Sequence, residues 1–365
     1  MTDAQRKQPK HVMMMAAGTG GHVFPALAVA KELQLKGIEV SWLATPAGME
    51  NRLLKNHNIP IYQIDIQGVR GNGMVRKILA PFKILKATLS AMRYMKQLNV
   101  DAVAGFGGYV AGPGGLAARA LGIPVLIHEQ NAIAGFTNTQ LSRIAKTVCE
   151  AFPHTFPAQQ KVVTTGNPVR KEITEILNPS WRYQEREKAG QPLRILIVGG
   201  SLGARALNEC VPEALKRLNV PLNVFHQCGQ NNAEATQARY ADAPDTLKAE
   251  VAPFIEDMAK AYSDADLIIC RAGALTVTEI ATAGLAAVFV PLPSAVDDHQ
   301  TANAKFLADI QAAKICPQAQ MTPESLIALL QPLMNRQLLQ EMAVKARRQA
   351  QPDAAQHVVR LIQEL

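Results

Sequence analysis

Arg271-Ala272-Gly273-Ala274-Leu275-Thr276-Val277-Thr278-Glu279 follows directly on the apolar run Leu267 to Cys270 and precedes a second apolar run, Leu285 to Val290. A buried strand, a glycine turn and a helix carrying Thr276, Thr278 and Glu279 are the parts of a β-turn-α unit. That order aims backbone N–H groups, the positive end of a helix and one carboxylate at a single point. Such a point suits an anion tethered to a polyol, as in a nucleotide. An ordinary connection that needs glycine only for its turn reads the same in isolation, so the neighbouring sequence must decide.

The same strand–glycine loop–helix phrase occurs twice more. Arg194–Val198 leads into Gly199-Gly200-Ser201-Leu202-Gly203-Ala204-Arg205 and a helix to about Leu218, and His11–Ala17 leads into Gly18-Thr19-Gly20-Gly21-His22 and a helix expected from Pro25 to Leu33. Further strands are expected at Ile38–Ala44, Ala102–Phe106, Pro124–His128, Thr147–Ala151 and Asn223–Gln227. Short apolar runs alternating with helical patterns signal parallel sheets flanked by helices. A Pro-rich stretch, then Gly166-Asn167-Pro168-Val169-Arg170 and polar sequence to Gln191, separates two such series. The expected fold is α/β, with two Rossmann-like doubly wound domains, 1–168 and 169–349. Thr322 is expected to cap a late helix and Asp353 another, Ala354 to Leu365.

The length of 365 residues exceeds one ordinary core, and 48% apolar with 19% charged residues is a globular composition. No apolar run approaches the ~18 residues of a spanning helix, and Met1 to Lys10 lacks an apolar signal core. A soluble or peripheral protein inside the cell is the expectation. The five cysteines are scattered without a C-x-x-C pair and read as small apolar residues. The formal net charge of +8 is unevenly placed: Val69 to Val100 holds seven basic residues and no acidic one. Met74, Val75, Ile78, Leu79, Phe82 and Leu85 interleave there with Arg76, Lys77, Lys83 and Lys86. This basic amphipathic pattern fits an anionic membrane surface. A crossover helix with a solvated basic side remains the other reading. One Tyr and one Phe make no stacking platform for nucleic acid.

The first glycine loop fails the dinucleotide fingerprint, because Val23 stands where the third glycine belongs and no acidic residue ends the second strand. His22, at the helix start, has the chemistry of a general base near neutral pH, or it is a structural cap. Glu129, in His128-Glu129-Gln130-Asn131, is the alternative base, and Asn131 has the groups to bond a sugar; either also suits scaffolding. Six glycines fall within Gly105-Phe106-Gly107-Gly108-Tyr109-Val110-Ala111-Gly112-Pro113-Gly114-Gly115. They let backbone amides approach a bulky anion such as a pyrophosphate. Asp264-Ala265-Asp266 has the form of a metal-binding D-x-D but abuts the strand Leu267–Cys270, and no metal site is assigned.

Taken together and in order, Gly18–His22, Gly105–Gly115, His128–Ala132, Gly166–Arg170, Gly199–Ser201 and Arg271–Glu279 resemble the bacterial peptidoglycan N-acetylglucosaminyltransferases that convert lipid I to lipid II. The resemblance spans nearly the whole chain. It implies a GT-B glycosyltransferase, with two Rossmann-like domains facing a cleft and the C-terminal helix, 350–365, packing back on the first domain. It implies a UDP-N-acetylglucosamine donor, an undecaprenyl-linked acceptor and transfer with inversion to a β-linkage. Ile255 would read uracil through its backbone and Glu279 would hold the ribose. Ser201 and the turn Ala274, Leu275, Thr276, continuing through Val277 and Thr278, would meet the diphosphate and sugar, and Gln300 the sugar. Thr19, Gly20, Gly21, Asn131 and Arg170 would complete the donor site. The loop Gly105, Gly107, Gly108, Tyr109, Gly112, Gly114, Gly115 would take the acceptor pyrophosphate. No cofactor or metal is expected. The expected location is the cytoplasmic face of the inner membrane, peripherally bound, with other cell-wall synthesis and division proteins as partners. A UDP-N-acetylglucosamine 2-epimerase and a non-catalytic membrane-docking subunit of the same fold are the competing readings.

Overall fold

The computed structural model describes residues 8–66, 74–200, 202–293 and 298–365, and of 74–79 the backbone alone. The chain divides into two compact units, Met1–Arg170 with Gln351–Leu365 and Lys171–Ala350. In unit 1 a parallel sheet is built from β1 (His11–Ala16), β2 (Glu39–Ala44), β3 (Ile61–Gln63), β4 (Ala102–Gly107), β5 (Val125–Glu129), β6 (Thr147–Glu150) and β7 (Val162–Thr164), in the order β3-β2-β1-β4-β5-β6-β7. Its helices are α1 (Gly20–Leu35), α2 (Glu50–Leu53), α3 (Met74–Gln97), α4 (Ala111–Ala120) and α5 (Phe136–Leu141).

Strands covered on both faces need no polar alternation. Along β1 every residue is buried: Val12, Met14 and Ala16 enter one core, while Met13 and Met15 enter the other. Those two cores are the two faces of one sheet, sorted by the period of 2 along the strand.

Unit 2 opens with α6 (Lys171–Thr174) and α7 (Pro179–Lys188). It continues through β8 (Leu193–Val198), α8 (Arg205–Lys216), β9 (Leu222–Gln227), α9 (Ala233–Ala238), β10 (Leu247–Ala252), α10 (Met258–Asp264), β11 (Leu267–Cys270) and α11 (Ala274–Ala283). It ends with β12 (Ala286–Phe289), α12 (His299–Ala308), β13 (Ala313–Ile315), α13 (Pro323–Leu330) and α14 (Arg336–Arg347). Its sheet is parallel, in the order β10-β9-β8-β11-β12-β13. Helix α15 (Ala354–Gln363) belongs to unit 1, where Val358, Val359 and Ile362 join the core that holds Leu27, Ala30 and Leu33 of α1.

Two local expectations need correction and one holds. Helix α1 starts at Gly20, not Pro25, so Pro25 sits one turn inside it. Thr322 caps α13 through a reciprocal pair with Ser325. Asp353 occupies the corresponding position before α15 but makes no side-chain capping bond.

Asp266 of the D-x-D string is fully buried. Its carboxylate takes Arg186 Nε at 2.8 Å, Arg336 Nη2 at 3.4 Å and the Arg194 backbone N–H at 2.9 Å. Nearby, Arg182 donates to the carbonyls of Ser263, Ala283 and Gly284. A guanidinium thereby satisfies the orphan carbonyls that close α10 and α11.

Candidate functional site

Strand order reverses at β1 in unit 1 and at β8 in unit 2. Ligands of open α/β sheets bind beyond the carboxyl ends of the strands at such points. Between β1 and β4 the Gly18 loop meets the Gly107–Gly108 turn. Gly108 has φ +79°, and a Cβ there would lie 2.1 Å from the Ala17 carbonyl oxygen. Gly107 has φ +101°, and its Cβ would lie 2.9 Å from the His22 ring. The Gly18 N–H is already taken by the buried Glu50 carboxylate at 3.3 Å. An internal anion thus occupies one amide of this loop.

His22 is half-buried in the first turn of α1, and its Nδ1 lies 2.9 Å from Gln130 Oε1. The Gln130 amide NH2 donates to the His128 carbonyl at 3.0 Å and meets His128 Nδ1 at 3.1 Å. His128 Nε2 in turn faces the Gly166 carbonyl at 2.9 Å. Burial pushes His128 down to about 4, which keeps its ring neutral. Asn131 is tied by its side chain to Glu129, and the Arg170 guanidinium lies 5.8 Å from the Phe24 ring on α1. Thr19, Gly20, Gly21, His22 and Arg170 are thereby gathered around the start of α1. No side chain caps that helix start, and its first turn holds no acidic residue.

Two expectations in unit 1 change. Glu129 is buried and accepts from the Asn131 N–H, Asn131 Nδ2, the Gly135 N–H and Asn138 Nδ2. Four donors fill its carboxylate, so it holds the 129–138 turn and lacks a free lone pair with which to act as the alternative base. In the glycine loop, a Cβ at Gly105 would lie 3.3 Å from Met15, one at Gly114 would lie 2.3 Å from the Met15 sulfur, and one at Gly115 2.5 Å from Leu141. These three serve close packing of β4 and α4. Gly107 lies against the His22 ring, while Gly108 and Gly112 are part-exposed and Tyr109 is 54% exposed.

In unit 2 the neighbouring strands β8 and β11 each deliver a helix start, of α8 and α11. Neither has a side-chain cap or an acid in its first turn. Each is a positive helix end of the kind that attracts anions. Gln227 staples the loop after β8, accepting from the Gly200 N–H at 3.1 Å and donating to the carbonyls of Gly200 at 3.0 Å and Pro253 at 2.9 Å. Pro253 precedes Phe254 and Ile255, which line a cavity of about 570 Å³ against β8–β10 and α10. Glu279 is buried and accepts from Tyr262 Oη at 3.0 Å. The Gln300 carbonyl takes the N–H groups of Ala272 at 3.2 Å and Leu292 at 2.9 Å, which leaves its NH2 as the part able to meet a sugar. Ala274, Leu275 and Thr276 form the open turn of α11. By contrast, the Val277 side chain is buried in the core and the Thr278 hydroxyl donates back to its own helix. Ser201 lies outside the described residues, as do the side chains of Met74, Val75, Arg76, Lys77, Ile78 and Leu79.

Sequence reasoning missed Glu50, Gln130, Gln227 and Tyr262, which act through contacts distant along the chain. It also missed Leu89, Leu116 and Phe136, which extend the apolar surface expected at Phe82 and Leu85. Phe82, Leu85 and Leu89 of α3 are 71%, 56% and 56% exposed, and Leu116 and Phe136 of α4 and α5 add to them. Spacing of three, four and seven residues sets the α3 trio on one helical face. Lys83 and Lys86 flank it, also exposed. Among the described residues no helix is long and apolar enough to cross a membrane.

Two parallel-sheet α/β units, each with open glycine-loop helix starts at its switch point, have the architecture of GT-B glycosyltransferases. The chain belongs to glycosyltransferase family 28, whose N-terminal domain matches residues 12–150 and whose C-terminal domain matches residues 194–358. It is 80% identical, over all 365 residues of both chains, to a UDP-N-acetylglucosamine–N-acetylmuramyl-(pentapeptide) pyrophosphoryl-undecaprenol N-acetylglucosamine transferase of Acinetobacter baumannii (strain AYE). A protein of the same description from Psychrobacter cryohalolentis is 51% identical over 356 residues, 96% of this chain and 98% of that one. The crystal structure of Acinetobacter baumannii MurG matches with a TM-score of 0.87 at 78% identity, covering 98% of this chain and all of the other.

Proposed function

We propose that the chain transfers N-acetylglucosamine from UDP-N-acetylglucosamine to the C4 hydroxyl of the muramoyl-pentapeptide on undecaprenyl pyrophosphate, with inversion, converting lipid I to lipid II for peptidoglycan synthesis. The observation that carries this reading is the 80% identity along the full length of both chains. It favours transfer over epimerisation or a docking role.

In this reaction the acceptor oxygen attacks the anomeric carbon as its proton passes to His22. The bond from that carbon to the diphosphate breaks, and UDP leaves with the negative charge. General base catalysis of this kind contributes ~10²–10⁴-fold. The helix starts of α8 and α11 meet the diphosphate, and Glu279, held by Tyr262, takes the ribose. Charge stabilisation by fixed dipoles does the work a metal ion does elsewhere, so turnover is metal-independent. The acceptor pyrophosphate sits on Gly107, Gly108, Tyr109 and Gly112. The exposed apolar face of α3, with Lys83 and Lys86, docks on the anionic cytoplasmic leaflet, and other cell-wall synthesis and division proteins are partners there.

The test is UDP release from UDP-N-acetylglucosamine with a short-chain lipid I analogue, with and without EDTA, for wild type and His22→Ala. Release that needs the analogue, survives EDTA and collapses in the variant supports the reading. Turnover without acceptor sinks transfer, and loss with EDTA returns Asp264 to consideration. Full activity in His22→Ala removes the base.

A further inference from the structure

Resting on the reading of His22 as base, we propose that Gln130 is a positioning residue that, with His128, locks His22 in the Nδ1–H tautomer and reserves the Nε2 lone pair for the acceptor hydroxyl.

The assignment follows from two groups that can only accept hydrogen bonds, the backbone carbonyls of Gly166 and His128. His128 Nε2 stands 2.9 Å from the Gly166 oxygen and must carry a proton to bond it. A neutral imidazole holds one proton, so His128 Nδ1 is an acceptor. Burial keeps that ring neutral down to about pH 4, far below the working range. The Gln130 atom facing both His128 Nδ1 at 3.1 Å and the His128 carbonyl at 3.0 Å must then be the donor NH2. The reverse amide orientation would set lone pair against lone pair at both contacts. Gln130 Oε1 is therefore what meets His22 Nδ1 at 2.9 Å, and His22 must present N–H there. Its Nε2 has no partner among the described residues. The ring is also wedged sideways: a side chain at Gly107 would collide with Cε1 and Nδ1 at 2.9 Å, and glycine admits it.

The chain of bonds thus runs from a main-chain carbonyl on the Gly166 segment, through two side chains, to the tautomer of a half-exposed histidine. A neutral histidine in water favours the proton on Nε2. Without Gln130 the nitrogen that should accept the proton would already carry one. A wrong tautomer disables a base without moving it, the effect attributed to the Asp→Asn change in the serine protease triad.

The experiment reads the tautomer directly. The 15N–1H correlation pattern of the His22 ring, assigned by comparison with His22→Ala, distinguishes protonation at Nδ1 from protonation at Nε2. It is recorded for wild type and Gln130→Met, alongside kcat, UDP affinity and melting temperature. The expected result is an Nδ1–H ring in wild type and an Nε2–H population in the variant. The variant's kcat should fall about 10–100-fold, a part of the ~10²–10⁴-fold a positioned base supplies, with UDP affinity and melting temperature retained. An Nε2–H ring in wild type overturns the proposal, even if the variant fails to fold. So does wild-type kcat with an unchanged tautomer in Gln130→Met. Failure of the underlying base reading looks different: His22→Ala would then turn over normally while the wild-type ring still reported Nδ1–H.

Discussion

Replacing glycines around the Gly18 loop with alanine separates two meanings of a glycine-rich sequence, room for a ligand and room for the protein's own backbone. At Gly21 φ is not positive, and an added Cβ meets only Thr19 Oγ1 at 3.6 Å, an ordinary contact. Alanine there should be neutral or slightly stabilising, since glycine inside a helix costs about 0.5–1 kcal/mol. At Gly18 the Cβ meets nothing within 4 Å, but φ is +99°, so the cost is backbone strain alone, about 1–3 kcal/mol. At Gly108 the same strain, at φ +79°, is joined by contacts of 2.1, 2.8 and 2.9 Å with the Ala17 backbone. Main chain cannot rotate away as a side chain can, and overpacking adds about 1–3 kcal/mol. The sum is about 2–6 kcal/mol. At about 2–4 °C per kcal/mol, a central value of ~4 lowers the melting temperature by roughly 8–16 °C. Thermal unfolding of the three variants, paired with UDP release, should rank Gly21→Ala, Gly18→Ala and Gly108→Ala in rising order of damage. A Gly108→Ala protein as stable as wild type, or less damaged than Gly18→Ala, would refute the close-approach argument.

Asp266→Ala leaves the buried Arg186 without its carboxylate and Arg336 with Glu187 alone, and should destabilise unit 2 by about 3–5 kcal/mol in urea unfolding; a loss under ~1 kcal/mol would contradict the buried network. His128 and His226, one in each unit, are both lowered by burial from 6.5 to about 4. The unfolded chain takes up these protons first as pH falls, so stability is full above pH 6.5 and drains away towards pH 4. The loss is on the order of 3 kcal/mol per histidine, and a flat urea midpoint across that window would be inconsistent with neutral burial. Phe82→Ser combined with Leu85→Ser should weaken binding to anionic lipid vesicles about 10-fold per residue, at ~1.4 kcal/mol per decade. Turnover of a water-soluble acceptor should be unchanged, and undiminished vesicle binding would move the docking surface elsewhere.

The fold was legible because its buried strands announce themselves. Met13-Met14-Met15, Ile195–Val198 and Leu267–Cys270 are apolar without alternation, as strands covered on both faces must be. The strands that escaped notice, β3, β7, β10 and β13, are the four sheet edges. Three of them span only three residues, and β10, Leu247–Ala252, carries Lys248 and Glu250. An edge strand with one wet side leaves little apolar signal. Within the candidate site the backbone devices could be read, because glycine loops and helix starts are local. The side-chain devices could not. Glu50 reaches the Gly18 amide from 32 residues away, and Gln130 reaches His22 from 108. The glycine count also misled at Gly105, Gly114 and Gly115, since tight strand–helix packing and anion binding ask for the same residue.

Helix α15 gives the protein an order of events in time. It completes unit 1 by covering α1, yet it lies beyond residue 350 and so leaves the ribosome only after the whole of unit 2. At about 5–20 residues per second, roughly 10–40 s separate the two parts of unit 1 during synthesis. Through that interval the part of the α1 surface that α15 covers stays open. A ribosome that stalls or terminates inside unit 2 therefore releases an incomplete first unit, and chaperones that bind apolar helices have their target there.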